Sequence, residues 1–234
     1  MCGQCPHNWA GVIGYPIKMN KRGKYDTTGL IETQHEPGSH GRVLKNLLGI
    51  KRKREIDITE AREQLRAMAE LVVLYDKKHR FTADDICDMH KVWLNGIYDW
   101  AGKYRQVNIS KAGFLFAAAG QVPRLMASFE KDILRRYTPC IFDTSDEVVT
   151  ALAVVHTELV LIHPFREGNG RLARMLTMLM AFQAGLPPLD FGMVKGQKRK
   201  EYFSAVQAGL DRNYEPMKKV FSDVIGRTLR ARVR

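Results

Sequence analysis

Twelve consecutive residues, His163 to Arg174, contain the side-chain types that phosphoryl chemistry requires. Pro164 disfavours the α conformation of the residue before it. A helix arriving from upstream must therefore stop at His163, leaving the imidazole on a fixed mount at its C-terminal end. Phe165 is apolar and anchors the loop in the core. In Glu167-Gly168-Asn169-Gly170 the two glycines permit positive φ and let backbone N–H groups converge into a concave nest. The helix that follows adds free N–H groups and a positive dipole end to the same space, which makes a phosphate site. Arg171 and Arg174 stand three residues apart on one face of its first turn. Each charge-assisted bond to a phosphate oxygen contributes about 1.5–3 kcal/mol. Glu167 puts a hard oxygen at the rim, suited to a Mg²⁺ ion bridging phosphates. A helix–loop–helix stabilised only by capping glycines would need neither the two arginines nor the acid.

This segment resembles the signature of the Fic family, His-Pro-Phe-x-(Asp/Glu)-Gly-Asn-Gly-Arg-x-x-Arg, at all nine specified positions. Ile97 to Arg105 and Val107 to Ala117 are similar to the family's approach to its flap hairpin, and the likeness covers roughly residues 55–210. The resemblance implies a mainly α, Fic-type helical bundle with a short β-hairpin flap beside the active-site loop. It implies a protein adenylyltransferase that moves AMP from ATP to a Tyr, Thr or Ser hydroxyl of a target protein. His163 would take the hydroxyl proton. Glu167 would hold Mg²⁺ on the α- and β-phosphates. Gly168, Asn169 and Gly170 would cradle the anion, with Asn169 orienting the α-phosphate, and Arg171 and Arg174 would grip the outer phosphates. A flap comprising Ser110, Lys111, Gly113, Phe114 and Phe116 would dock the target by strand addition.

Many relatives restrain themselves with Ser/Thr-x-x-x-Glu-Gly/Asn, whose glutamate pairs with the second motif arginine, here Arg174. Thr28 to Glu32 is followed by Thr33, and Thr59 to Glu63 by Gln64, so neither completes the pattern. The expectation is a separate small antitoxin that supplies the glutamate. Transfer from another nucleotide donor, protein kinase activity and a silent nucleotide-dependent binding module are the competing readings. One tension stands in the sequence. A helix C-terminus favours a charged imidazole, whereas Arg171, Arg174 and Mg²⁺ favour the neutral form.

Several elements must position this loop. Thr144 to Glu147 reads as a capping box opening a helix over about 146–162, apolar on almost every side and therefore central. A further helix spans about 169–184 and ends before Gly185, and two more lie near 197–211 and 214–230. Upstream, Leu65, Met68, Ala69, Val72 and Val73 repeat with helical spacing from Ile58 onward. Thr82, Asp84 and Asp85 start a helix that stops near Gly96, and Pro123 suits the first turn of another running to Leu134. Residues 103–118 read as a hairpin, and 43–48 as a helical turn packing Val43, Leu44, Leu47 and Leu48. The divisions are an irregular N-terminal extension (1–54), the core (55–210) and a C-terminal helix with a basic tail (211–234). His156 and Glu158 read as structural, Met175, Met178 and Met180 as core, and Arg166 as exposed.

The chain has 234 residues, 45% of them hydrophobic, which supports a folded core. No stretch approaches the roughly 18 apolar residues of a membrane span and no signal pattern opens the chain, so a cytoplasmic, membrane-free protein is expected. The net charge of +12, with basic clusters at 18–24, 51–54, 195–200 and 227–234, favours an acidic or nucleotide partner. No nucleic-acid motif accompanies it, so direct nucleic-acid binding is not expected. Cys2 and Cys5 have metal or redox spacing but no second pair.

Overall fold

The computed structural model describes residues 29–232 except Ala112 and Lys195. Cys2, Cys5 and the basic cluster at 18–24 lie outside the described residues.

Helix α5 (Ser145–Ile162) is the axis of the fold because its sequence leaves it no polar side. Fourteen of its residues are buried, from Val148 to Ile162. Its start is fixed by the capping box: the Thr144 side chain accepts from the Glu147 N–H, and the Glu147 side chain accepts from the Thr144 N–H. Removing such a cap typically costs about 1 kcal/mol. Helices α6 (Asn169–Gln183), α7 (Gln197–Ala208) and α8 (Glu215–Arg232) pack around α5, as does α3 (Val122–Phe129), which continues through a π-helical stretch (Glu130–Leu134) into the short α4 (Arg135–Tyr137). At Gly209 the chain passes so close to α5 that a Cβ there would sit 2.2 Å from the Thr157 methyl carbon.

Helices α1 (Lys53–Leu74) and α2 (Ala83–Leu94) pair with each other, and α2 touches α6. Thr82 caps α2 in the same reciprocal way, with Asp85. Trp93 of α2 is fully buried, and its indole N–H donates to the Glu60 carbonyl of α1 at 2.9 Å. Fully burying a large side chain of this kind contributes roughly 1.5–3 kcal/mol. The two-stranded sheet is antiparallel, with β1 (Ser110–Lys111) and β2 (Phe114–Leu115) in the register Ser110 to Leu115 and Lys111 to Phe114. Gly113 makes the turn at φ 81°.

The structure departs from the sequence expectations in four places. The paired hairpin is only two residues per strand rather than most of 103–118. Residues 43–48 form no helix: Leu44 makes an isolated bridge to His35, Val43 is buried, and Leu47 and Leu48 are exposed. Backbone pairing took that segment, because Glu36 and Lys45 N–H groups already donate across to Val43 and Gln34 carbonyls. Helix α1 starts earlier than expected, at Lys53, and of the residues that revealed it Leu65, Ala69, Val72 and Val73 are exposed while Met68 packs against the core. Ile56, Glu60, Ala67 and Leu71 are the buried ones. Arg166 is half-buried, with its Nε donating to the Glu32 carbonyl at 2.8 Å.

Candidate active site

His163 ends α5 in the left-handed conformation, φ 53° and ψ 59°. That is unusual for a residue with a Cβ and is held by its surroundings. The main support is Arg105, whose buried side chain reaches the carbonyls on both sides of the turn. Its Nε donates to His163 O at 2.7 Å and its Nη2 to Ile162 O at 3.3 Å. The same guanidinium bonds Val107 O at 2.7 Å and Ala117 O at 2.5 Å, and the Arg105 N–H donates to Pro164 O at 2.9 Å. One side chain thus ties both legs of the hairpin to the His163 turn. Burial brings its pKa down to about 10.

The imidazole is fixed in tautomer as well as position. Its Nδ1 lies 3.0 Å from the Val160 carbonyl, which can only accept, so Nδ1 carries the hydrogen and Nε2 keeps its lone pair. The Phe116 ring stacks on the imidazole with centroids 3.6 Å apart. Burial lowers the His163 pKa to about 4, and the Arg105 and Lys111 charges push the same way. The sequence tension is therefore decided by desolvation. The cations that assist are these two, not Arg171 and Arg174.

Gly168 caps α6 at φ 85°, and a Cβ there would meet Trp93 at 2.8 Å. Only glycine satisfies both demands. The Asn169 amide closes the loop on itself: Oδ1 accepts from Phe165 N at 2.8 Å and Nδ2 donates to Phe165 O at 2.7 Å. Asn169 also lines the cavity, and its Nδ2 keeps a second hydrogen. The N–H groups of the first turn, which lack intrahelical acceptors, add further donors for an anion. Phe165 is fully buried and stacks on His90 at 3.9 Å, and His90 Nε2 contacts the Glu167 carbonyl at 3.2 Å.

The two arginines are held differently. Arg171 pairs with the buried Glu60 of α1 at 2.6 Å, lies 3.4 Å from Glu167 Oε1, and covers Trp93 at 4.8 Å from the ring centroid. The other Glu60 oxygen, Oε1, accepts from Tyr98 OH at 2.6 Å. Arg174 contacts the Tyr202 hydroxyl, which in turn meets the fully buried His156 Nε2 at 2.7 Å. Glu167 is exposed at the rim, with Oε1 accepting from the Gly168 N–H at 2.9 Å.

These groups share one cavity of about 1020 Å³. His163, Glu167, Gly168, Asn169, Gly170, Arg171 and Arg174 form one wall, and Lys111, Phe114 and Phe116 of the flap form another. The far wall is Phe191, Val194, Tyr202, Phe203 and Val206, with Arg199 and Lys200 at its edge. Lys111 reaches across to the Phe203 ring, 5.9 Å from its centroid. Ser110 and Gly113 shape the hairpin but do not line the cavity. His156, Glu158, Met175 and Met180 are buried, as expected, with Glu158 accepting from Tyr214 OH at 2.5 Å. Arg105, Glu60 and Tyr202 were not identified as functional from sequence. Arg105 alone carried a signal, as the last residue of the similar segment that begins at Ile97.

The family model of the Fic/DOC family matches residues 80–181. The protein adenylyltransferase Fic of Aedes aegypti is 29% identical over 157 residues, covering 67% of this chain and 30% of that protein. The chain thus spans about three tenths of the length of the curated relatives it matches. Among solved structures, the N-terminal Fic domain of a VirB-translocated Bep effector from Bartonella quintana, with bound ADP, is 26% identical. It superposes with a TM-score of 0.62 over 77% of this chain and 89% of that one. BepC of Bartonella tribocorum, with bound AMPPNP, has the same fold at 23% identity and a TM-score of 0.65, covering 77% of this chain and 91% of that one.

Proposed function

Taking as premise that residues 80–181 form a Fic/DOC domain, we propose that this chain transfers AMP from ATP to a hydroxyl side chain of another protein. The observation that carries the reading is the fixed imidazole. A neutral His163 with a free Nε2 lines the same cavity as the α6 N-terminus and two arginines. A pure nucleotide binder has no use for a base held in this way.

In this reading the acceptor oxygen gives its proton to His163 Nε2 and attacks the α-phosphorus, and pyrophosphate leaves. The N–H groups of the first α6 turn and Arg171 and Arg174 bind the negative charge that builds on the phosphates. The aromatic far wall, with Phe191, Tyr202 and Phe203, suits the flat face of an adenine. Glu167 fits a magnesium ion that arrives on the phosphates, since it is one exposed carboxylate at the rim. Among the described residues no cluster of three or more His, Cys, Asp or Glu side chains could hold a metal unaided. When bound, Mg²⁺ would neutralise phosphate charge. The target's backbone would lie along the hairpin, with Ser110, Lys111 and Phe114 offering the docking strand. Phe116 does not belong to that docking set, because its ring faces His163.

A separate antitoxin fits the surroundings of Arg174. Glu63 pairs with Arg62 and Arg66, and Glu32 accepts from Gln106 N. Among the described residues no carboxylate is bonded to Arg174, so the inhibitory glutamate would come from another chain. The cytoplasm, where ATP and protein targets meet, is the proposed location; among the described residues no helix is long and apolar enough to cross a membrane.

The test offers ATP labelled at the α- or the γ-phosphate to a cell lysate, with wild type and His163→Ala. Protein label from α only, lost in the variant, is the expected result. Label from γ would establish a kinase instead, and label surviving His163→Ala would remove the histidine from the chemistry.

A further inference from the structure

His90 of α2 is fully buried, and both of its ring nitrogens are engaged by backbone from other parts of the chain. Nδ1 lies 2.8 Å from the Gly102 nitrogen, whose N–H can only donate. Nδ1 therefore accepts, and the ring hydrogen sits on Nε2. That hydrogen faces the Glu167 carbonyl at 3.2 Å. Burial keeps the ring neutral, with a pKa lowered to about 4. Packing fixes its plane: the imidazole stacks on Phe165 with centroids 3.9 Å apart and planes 7° from parallel. Gly102 can come this close only without a side chain. Its φ is 79°, and a Cβ there would stand 2.8 Å from the Lys91 Cβ.

The contact sets the direction of one peptide group. The Glu167–Gly168 bond is trans, since the cis bond among the described residues joins Thr138 to Pro139. In a trans peptide the C=O and the N–H point in opposite directions. With the carbonyl turned inward onto His90, the Gly168 N–H turns outward, toward the cavity that Glu167 and Gly168 line. A carboxylate oxygen, Glu167 Oε1, takes that N–H at 2.9 Å. The donor thus faces a space where an anionic oxygen fits.

We infer that His90 is a positioning residue for the anion cradle: by donating from Nε2 to the Glu167 carbonyl, it locks the Glu167–Gly168 peptide with its N–H toward the phosphates. A glycine at positive φ permits more than one peptide orientation, so the loop needs a restraint from outside. That restraint comes through the same short stretch that holds the other end of the loop. Gly102 braces His90, and Arg105, three residues on, holds the His163 and Ile162 carbonyls. The inference rests on reading this loop as a phosphate site.

Two amide substitutions divide the functions of the ring. His90→Gln can place an amide N–H where Nε2 stands, whereas His90→Asn can place an amide oxygen near Nδ1 but does not reach Glu167. Both lose the stacked ring, so both should melt at similarly lowered temperatures. Titration calorimetry with Mg²⁺ and α,β-methylene ATP, which cannot transfer AMP, should separate them. His90→Gln should bind within about twofold of wild type and His90→Asn about threefold to tenfold more weakly, the range set by one hydrogen bond. Equal affinity in the two variants, or tighter binding by His90→Asn, overturns the inference. Wild-type protein gives a second readout that does not depend on a variant folding. The ¹⁵N spectrum of histidine-labelled protein, with His90 assigned through its ring carbons, should show Nε2 protonated and Nδ1 bare; the reverse tautomer overturns the inference as well. Wild type that fails to bind the analogue would remove the phosphate-site reading and the inference with it. Equal affinity in the two variants would leave that reading standing and sink only the role of His90.

Discussion

Replacing Arg105 by methionine should separate the stability of this fold from its catalytic geometry. The substitution keeps most of the side-chain length and leaves the carbonyls of Val107, Ala117, Ile162 and His163 without their shared donor. Each orphaned carbonyl costs about 1–3 kcal/mol where water cannot reach it. If local relaxation and entering water recover half of them, the net loss is roughly 3–5 kcal/mol, comparable to removing one partner of a buried charged pair. With an m-value of about 2 kcal/mol per molar urea, the unfolding midpoint should drop by roughly 1.5–2.5 M. Domain stabilities are typically about 5–15 kcal/mol, so the variant should still fold in the absence of denaturant. Its kcat for AMP transfer should fall by about tenfold to a hundredfold, because the left-handed His163 turn relaxes and near-attack geometry is lost. KM for ATP should change little, since the N–H cradle and both motif arginines sit on α6. Arg105→Lys, which keeps the charge but cannot span four acceptors, should fall between the two on both scales. Urea unfolding followed by tryptophan fluorescence, with steady-state kinetics under conditions where the variant is folded, provides the check. An unchanged midpoint together with an unchanged kcat would show that the guanidinium supports neither the turn nor the base.

Three further outcomes follow from the same geometry. Gly168→Ala must place a Cβ against Trp93 at positive φ; left-handed strain alone costs about 1–2 kcal/mol, so a lower melting temperature and at least tenfold weaker nucleotide binding are expected by calorimetry. Glu60→Gln should leave Arg171 without its buried partner, destabilising the protein by about 2–4 kcal/mol and raising KM for ATP, as read by urea unfolding and initial rates. The third concerns pH. His163 and His90 are held near pKa 4 and His156 near 3, all three by burial. The folded state therefore keeps them neutral where the unfolded chain, with an imidazole pKa near 6.5, takes up protons. Their stabilising contribution is complete above about pH 6.5 and is lost as pH falls toward 4. The melting temperature should decline across that window. Meanwhile kcat/KM should show no inflection near 6.5, where an ordinary imidazole base would be about nine-tenths protonated by pH 5.5. A break near 6.5 would mean that the base is not buried in solution.

What the sequence revealed was whatever local chemistry decides. The capping residues Thr82 and Thr144 set the starts of α2 and α5. Pro164 set the end of α5, and the all-round apolar character of 148–162 placed that helix at the centre. The site loop was legible because its glycines, acid and arginines act within one turn of one another. The supports of the loop were not legible, since each comes from far along the chain. Arg105 reaches His163 from 58 residues away, and Tyr202 meets His156 across 46. Periodicity also has no sense of inside and outside: the α1 pattern announced a helix correctly, but its Leu65, Val72 and Val73 face away from the core. The short hairpin was overextended because, of the alternating β-formers, the Val107 carbonyl is held by Arg105 and Ile109 makes one backbone bond, from Phe116 N, beyond the paired strands.

The Phe116 ring lying on the imidazole has a consequence for economy of nucleotide. A bare base beside bound ATP would deprotonate the most abundant acceptor, water, and the enzyme would destroy its donor without labelling anything. One imidazole face is covered by the Phe116 ring, and Arg105 anchors the flap that carries this ring. In the proposed reaction an acceptor docked on the hairpin would bring its own hydroxyl to the side of the imidazole that the ring leaves open. The ring that guards the base and the strand proposed to seat the target are then neighbours on one hairpin, so in the proposed reaction fidelity to protein over water would be a property of the flap.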